Sequence, residues 1–74
     1  MAIEYLGLSE INGPLIVLEG VQDAFYEEVV EFVVDKKRRK KGRIVAVDKD
    51  KAVIQVFDNT DEMSLKNTHT RLSG

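Results

Sequence analysis

The apolar residues of this chain come in short runs rich in valine and isoleucine, with turn formers between one run and the next. β-Branched residues lose side-chain freedom in a helix and pack well on a pleated surface, so runs of this kind predict strands. No strictly apolar stretch exceeds four residues, Leu15 to Leu18 being one, whereas a helix crossing a bilayer needs about 20. The opening Met1-Ala2-Ile3-Glu4-Tyr5 lacks the basic-then-apolar order of a signal peptide. The sequence therefore predicts no direct membrane insertion, and any membrane association is expected to run through partners.

Six strands are predicted, over residues 3–11, 15–18, 28–34, 42–47, 52–57 and 67–72. Asn12-Gly13-Pro14 forces a turn after the first, because Asn-Gly favours positive φ and Pro14 has no N–H for a ladder. Asp48-Lys49-Asp50-Lys51 is a tight polar connection and makes the fourth and fifth strands a hairpin. A competing pattern exists between the two turns. Val21, Phe25, Val29, Phe32 and Val33 also fall at helical spacing, with Glu27 and Glu28 in what would be a first turn. The valine density favours the strand.

Seventy-four residues make one domain and leave no room for a second. A chain this short buries only about 60% of its unfolded surface, and with no cysteine it has no disulfide to compensate. The absence of cysteine also excludes zinc ribbons and thiol chemistry, and leans toward a cytoplasmic location. Six short strands cannot build a wide sandwich. The predicted fold is all-β, a small closed six-stranded β-barrel, which removes exposed edges.

Catalytic patterns are missing. His69 is the single histidine and lies between Thr68 and Thr70 in a strand-like segment; no serine sits in a G-x-S-x-G setting, and no H-E-x-x-H pair occurs. Asp48 and Asp50 have the spacing that opens a calcium loop, but Val53 stands where the turn glycine belongs and Asn59 where the bidentate glutamate belongs. Gly13 and Gly20 flank an apolar run with no Gly-Lys-Ser or Gly-Lys-Thr after it, so the phosphate cradle of a nucleotide site is lacking. No catalytic, metal or cofactor residue is assigned, and this chain alone is expected not to hydrolyse a nucleotide.

Charge is distributed unevenly. Seven of the eleven basic residues lie within 36–43, a segment without acids, so it carries +7 while the remainder, four bases against thirteen acids, carries −9. The run Lys36-Lys37-Arg38-Arg39-Lys40-Lys41 reads either as a nucleic-acid or acidic-surface contact or as a solvated loop between two strands, and the loop is favoured. Stacking platforms for single strands need aromatics beside the positive groove. Phe32 and Phe57 are placed like core residues, and Tyr5, Phe25 and Tyr26 lie far off in sequence. Gln55, between Ile54 and Val56, is either plain outward alternation or a subunit contact.

The segments Glu10-Ile11-Asn12-Gly13-Pro14-Leu15-Ile16-Val17-Leu18-Glu19, Lys41-Gly42-Arg43-Ile44-Val45-Ala46-Val47, Lys51-Ala52-Val53-Ile54-Gln55-Val56-Phe57 and Ser64-Leu65-Lys66-Asn67-Thr68 occur in that order. Together they resemble the N-terminal domain of the B subunit (beta chain) of V-type and A-type rotary ATPases, from about Tyr5 to Gly74. The resemblance implies a six-stranded barrel belonging to the non-catalytic, regulatory partner of the catalytic A subunit. It implies a place in a crown ring, with barrels of the A subunit on both flanks and peripheral-stalk subunits as further partners. ATP or ADP would be bound by a nucleotide-binding core outside residues 1–74, in a longer subunit from which this single N-terminal barrel domain is excised. The location implied is cytoplasmic and peripheral to the membrane. Arg38, Arg39, Arg43 and Gln55 are the candidate subunit or stalk contacts, and Asn12, Gly13 and Pro14 the structural turn. On this reading, charge reversal at Arg38 and Arg39 weakens assembly.

Two departures from the family pattern stand out. Where the family carries Glu-Gly-Thr-Ser-Gly-Leu after its Gln-Val-Phe strand, this chain has Asp58-Asn59-Thr60-Asp61-Glu62-Met63. A glutamate in a glycine's left-handed conformation has a steric cost, so the loop must either change path or absorb strain. The other departure is the basic run, with Arg43 following Gly42 where glutamine is common. The alternative function is a small-barrel nucleic-acid or ribosome-associated module using loop 36–43. For that reading, Lys40-Lys41-Gly42-Arg43-Ile44-Val45-Ala46-Val47-Asp48 resembles the opening strand of KOW-type barrels.

Overall fold

The structure, a computed structural model, describes residues 2–22, 24 and 27–73. Every regular element among them is a strand: β1 Ala2–Leu6, β2 Glu10–Asn12, β3 Leu15–Leu18, β4 Val29–Val33, β5 Arg39–Asp48, β6 Lys51–Val56 and β7 His69–Ser73. All pairings are antiparallel, in one sheet ordered β1-β7-β4-β5-β6-β3-β2. The outermost strands, β1 and β2, are consecutive in the chain, so the sheet curls until its two edges are joined by Gly7, Leu8 and Ser9. This is the small all-β barrel the sequence predicts.

The count differs by one because the first predicted strand is divided. Gly7 has φ +87°, and Gly7 N donates to Thr68 O at 2.8 Å while Ser9 N donates to Val17 O at 2.9 Å. The chain thus leaves β7 at Gly7 and joins β3 by Ser9, which carries it from one sheet edge to the other. A side chain at Gly7 would also approach Leu65 O to 3.1 Å. The helical alternative over 21–33 fails because β4 is laddered on both sides, to β5 and to β7; Phe25 and Tyr26 lie outside the described residues. Among the described residues no helix is long and apolar enough to cross a membrane.

Both predicted turns form. Asn12 pairs with Leu15, leaving Gly13 and Pro14 as a two-residue loop. Gly13 takes φ +61° and proline cannot take a positive φ, which is the combination of a type II′ hairpin. Val56 N donates to Pro14 O at 2.9 Å and ties the turn to β6. At the other hairpin Asp48 pairs with Lys51, and Lys49 carries φ +58°. Opposite Ile54 and Val53 the ladder shifts between Ile44 and Ala46, so Val45 is the extra residue of a bulge that twists β5 around the barrel.

Inward positions alternate as a half-buried pleat requires. Ile16, Leu18, Val30, Phe32, Ile44, Ala52, Ile54, Val56 and Leu72 fill the interior, and Leu8, Val21 and Met63 close its ends. Two threonines share that interior. Thr68 Oγ1 accepts from Ser64 N at 2.8 Å, whereas Thr70, also fully buried, has a hydroxyl without a partner among the described residues. A buried unmet hydroxyl is a net cost that an isosteric methyl removes. Thr70→Val is therefore expected to stabilise the barrel by about 1 kcal/mol, read as a raised urea midpoint at unchanged slope; a lowered midpoint would show that the hydroxyl has a partner.

Candidate interaction surface

The basic run does not form one loop. Its first half is the turn between β4 and β5, and residues from Arg39 onward are strand, a correction to the solvated-loop reading. The turn is built by Asp35, whose Oδ1 accepts from Lys37 N at 2.8 Å and Arg38 N at 2.9 Å, while Val34 N donates to Arg38 O at 3.0 Å. Short polar side chains that satisfy neighbouring amides make such turns without help from glycine.

Beyond the turn, the two departures from the family pattern meet in space. The Arg38 guanidinium pairs with Asp35 at 3.5 Å and with Glu62. Lys40 Nζ donates to Asn59 O at 2.6 Å, Asn59 Oδ1 at 2.8 Å and Asp61 O at 3.0 Å. Thr60 Oγ1 donates to Gly13 O at 2.7 Å, anchoring the same loop to the β2–β3 turn. Glu62 sits at φ +69°, so the loop absorbs the strain and leaves a glutamate in left-handed backbone, facing an arginine. The open groove between these segments, about 450 Å³, is lined by Lys37, Arg38, Arg39 and Lys40 against Asp58, Asn59, Asp61 and Glu62. Its charges nearly balance, so it is no anion site. Exposed pairs are each worth under about 1 kcal/mol, so the clasp matters less for stability than for occupying Arg38 and Lys40.

Arg39 is engaged as well. Its guanidinium reaches Glu31 Oε1 at 3.3 Å, and the same carboxylate lies 3.9 Å from Arg71, which lies 3.5 Å from Glu4. Glu4, Arg71, Glu31 and Lys41 are successive cross-strand partners on β1, β7, β4 and β5, a ladder of alternating sign across the outer face. His69 joins it through Glu4 at 2.7 Å.

The four candidate contacts thus separate into two groups. Arg38 and Arg39 are paired within the barrel, whereas Arg43 and Gln55 stand opposite each other on β5 and β6, exposed. Arg43 also faces Val29 on β4, and Gln55 faces Leu15 on β3. Neither Lys41 nor Arg43 has an ion-pair partner among the described residues. Phe57 corrects the sequence reading: Ala52, Ile54 and Val56 point inward, so Phe57 points out and is 60% exposed, with its N donating to Lys41 O at 2.9 Å.

Gly13 and Gly20 occupy turns at opposite ends of β3, too far apart in the fold to wrap one phosphate. Among the described residues no three His, Asp or Glu side chains gather into a possible metal site. The barrel carries its distinguishing chemistry on its outer surface.

Residues 8–68 match the family model described as the ATP synthase alpha/beta family, beta-barrel domain. The chain belongs to this family. It is 47% identical over all 74 of its residues to "V-type ATP synthase beta chain 2" of Clostridium tetani, covering 16% of that protein. It is 42% identical to the "V-type ATP synthase beta chain" of Thermotoga neapolitana over 96% of this chain and 15% of the relative. With the B subunit of the A-type ATP synthase of Cenarchaeum symbiosum it shares 33% identity over 97% of this chain and 16% of the relative. The chain spans about one sixth of the length of the curated relatives it matches.

Proposed function

We propose that this barrel is the N-terminal module of the B subunit of a V-type or A-type rotary ATP synthase. There it stands in a crown ring between barrels of the A subunit and carries no catalysis of its own. The B subunit is the non-catalytic, regulatory member of the pair, and ATP or ADP is held by the core of that parent subunit. The particle is cytoplasmic and peripheral to the membrane, with stalk subunits as further partners.

One geometric observation carries the ring role. A ring member needs two different contact flanks, and the barrel exposes large apolar side chains on two opposite sides. Leu6, 67% exposed, lies where β1 meets the 64–68 loop, which also bears exposed Leu65 and receives Leu8 N on Leu65 O at 2.7 Å. Val29 and Phe57 lie on either side of β5, the middle strand of the sheet and so across the barrel from the β1–β2 junction. Packing between neighbours also stabilises a domain too small to be robust alone. The nucleic-acid alternative loses three of the seven cations of its basic loop, because Arg38, Arg39 and Lys40 are already engaged within the barrel.

The test is native mass spectrometry of complexes purified from source cells through a tag on this chain. The expected particle contains this barrel in alternation with a second, homologous subunit and survives nuclease treatment. Recovery of the barrel alone, or with nucleic acid only, would overturn the assignment.

A further inference from the structure

We propose that the outward face made by Val29, Lys41, Arg43, Gln55 and Phe57 docks an acidic segment of a neighbouring protein chain, one that also presents an apolar side chain. The inference rests on the ring reading and specifies the partner chemistry of one flank.

Register makes these residues one surface. Arg43 is opposite Val29 on β4 and Gln55 on β6, and Phe57 is opposite Lys41 through the 2.9 Å bond from its N–H. Val29 and Phe57 are 49% and 60% exposed, so the face offers two apolar contacts on either side of two cations. Neither cation has an ion-pair partner among the described residues. Glu31 is the acid nearest in register to Lys41, but its carboxylate is held by Arg39 at 3.3 Å and Arg71 at 3.9 Å. The clasp on Arg38 and Lys40 works the same way, removing basic groups at the barrel end. Lys36 and Lys37 belong to the turn and not to this face.

Arginine beside an exposed aromatic is the composition of interface centres. Residues two apart on a strand lie about 7 Å apart, so Lys41 and Arg43 match carboxylates two apart on an extended partner or one turn apart on a helix. A phosphate backbone fits less well. Two free cations flanked by Glu31, on a chain of net charge −2, give neither the number of phosphate contacts nor the surrounding field that nucleic-acid binding draws on.

The experiment places a photo-crosslinker at Phe57 (Phe57→p-benzoylphenylalanine) in the intact particle and identifies the captured peptide by mass spectrometry. The expected product is a net-acidic segment of a neighbouring subunit. Lys41→Glu combined with Arg43→Glu is expected to lower its yield about tenfold, equivalent to about 1.4 kcal/mol. Lys36→Glu combined with Lys66→Glu, an equal charge reversal off this face, should leave it within about twofold. Charge reversal of the captured acids should restore capture by the double variant, which separates lost attraction from misfolding. Capture of nucleic acid, of a basic segment or of nothing would overturn the inference while leaving the ring reading intact. Absence of the barrel from the particle would overturn that reading, and the inference with it.

Discussion

Phe32→Ala is expected to cost the barrel about 3–5 kcal/mol, the range for removing a fully buried aromatic ring. Among the described residues Phe32 is the largest side chain with no exposure at all. It stands on β4, the strand laddered to β5 on one side and β7 on the other, so neither neighbour can collapse into the void without losing register. Stabilities of roughly 0.05–0.15 kcal/mol per residue put a chain of this size at about 4–11 kcal/mol. The variant should therefore be partly or wholly unfolded at 37 °C, read by far-UV circular dichroism and by a urea midpoint shifted to low denaturant. Phe57→Ala provides the internal comparison. With most of its ring in water, it should shift stability by no more than about 0.5 kcal/mol. Equal losses from the two substitutions would mean that the inward and outward faces of β4 and β6 have been assigned wrongly.

That pair of phenylalanines also shows what was legible in the sequence. The all-β class, five of the six strand positions and both hairpin turns follow from local chemistry: β-branched runs, a Gly-Pro turn and a four-residue polar connection. Phe57 was legible too, since a period of two from Ala52 places it outside, but the expectation that aromatic residues go inward prevailed over the period. The division of the first strand had a signal in Gly7, a glycine inside an otherwise extended run. The basic run hid its own alternation. Lys40 turns toward the barrel end while Arg39, Lys41 and Arg43 face outward, and seven like residues in eight positions give no contrast from which to read a period. The clasp itself was out of reach, because Lys40 and Asn59 are nineteen residues apart and only the sheet order brings their loops together. The separate oddities of sequence, an acidic loop with Glu62 in place of a glycine and a long basic turn, are two halves of one contact. The candidate contacts follow the same division: Arg38 and Arg39 are taken up within the barrel, and Arg43 and Gln55 are left on the open face.

The second large effect is expected from the smallest side chain on that face's central strand. Gly42→Ala should destabilise the barrel by about 2–3 kcal/mol, the upper part of the range for overpacking. Unlike Gly7, Gly42 is needed for space and not for a left-handed φ. A Cβ there would come within 2.7 Å of Gln55 O, 2.9 Å of Ile54 Cγ2 and 3.2 Å of Phe32 Cε2. The nearest obstacle is a backbone carbonyl in the β5–β6 ladder, which cannot swing aside as a side chain can. Relief requires β5 and β6 to move apart, against the gain of about 0.4–1 kcal/mol that alanine brings by restricting the unfolded chain. Urea unfolding of Gly42→Ala, Phe32→Leu and the double variant decides which obstacle controls. If the carbonyl does, the two losses add to within about 0.5 kcal/mol; if trimming Phe32 rescues the alanine, the ring is the obstacle and the carbonyl is not. The same movement has a functional reading. Gly42 lies between Lys41 and Arg43, so a shift of β5 against β6 displaces both cations from Phe57 and Gln55. Capture at Phe57 should therefore weaken in Gly42→Ala even under conditions where the barrel remains folded.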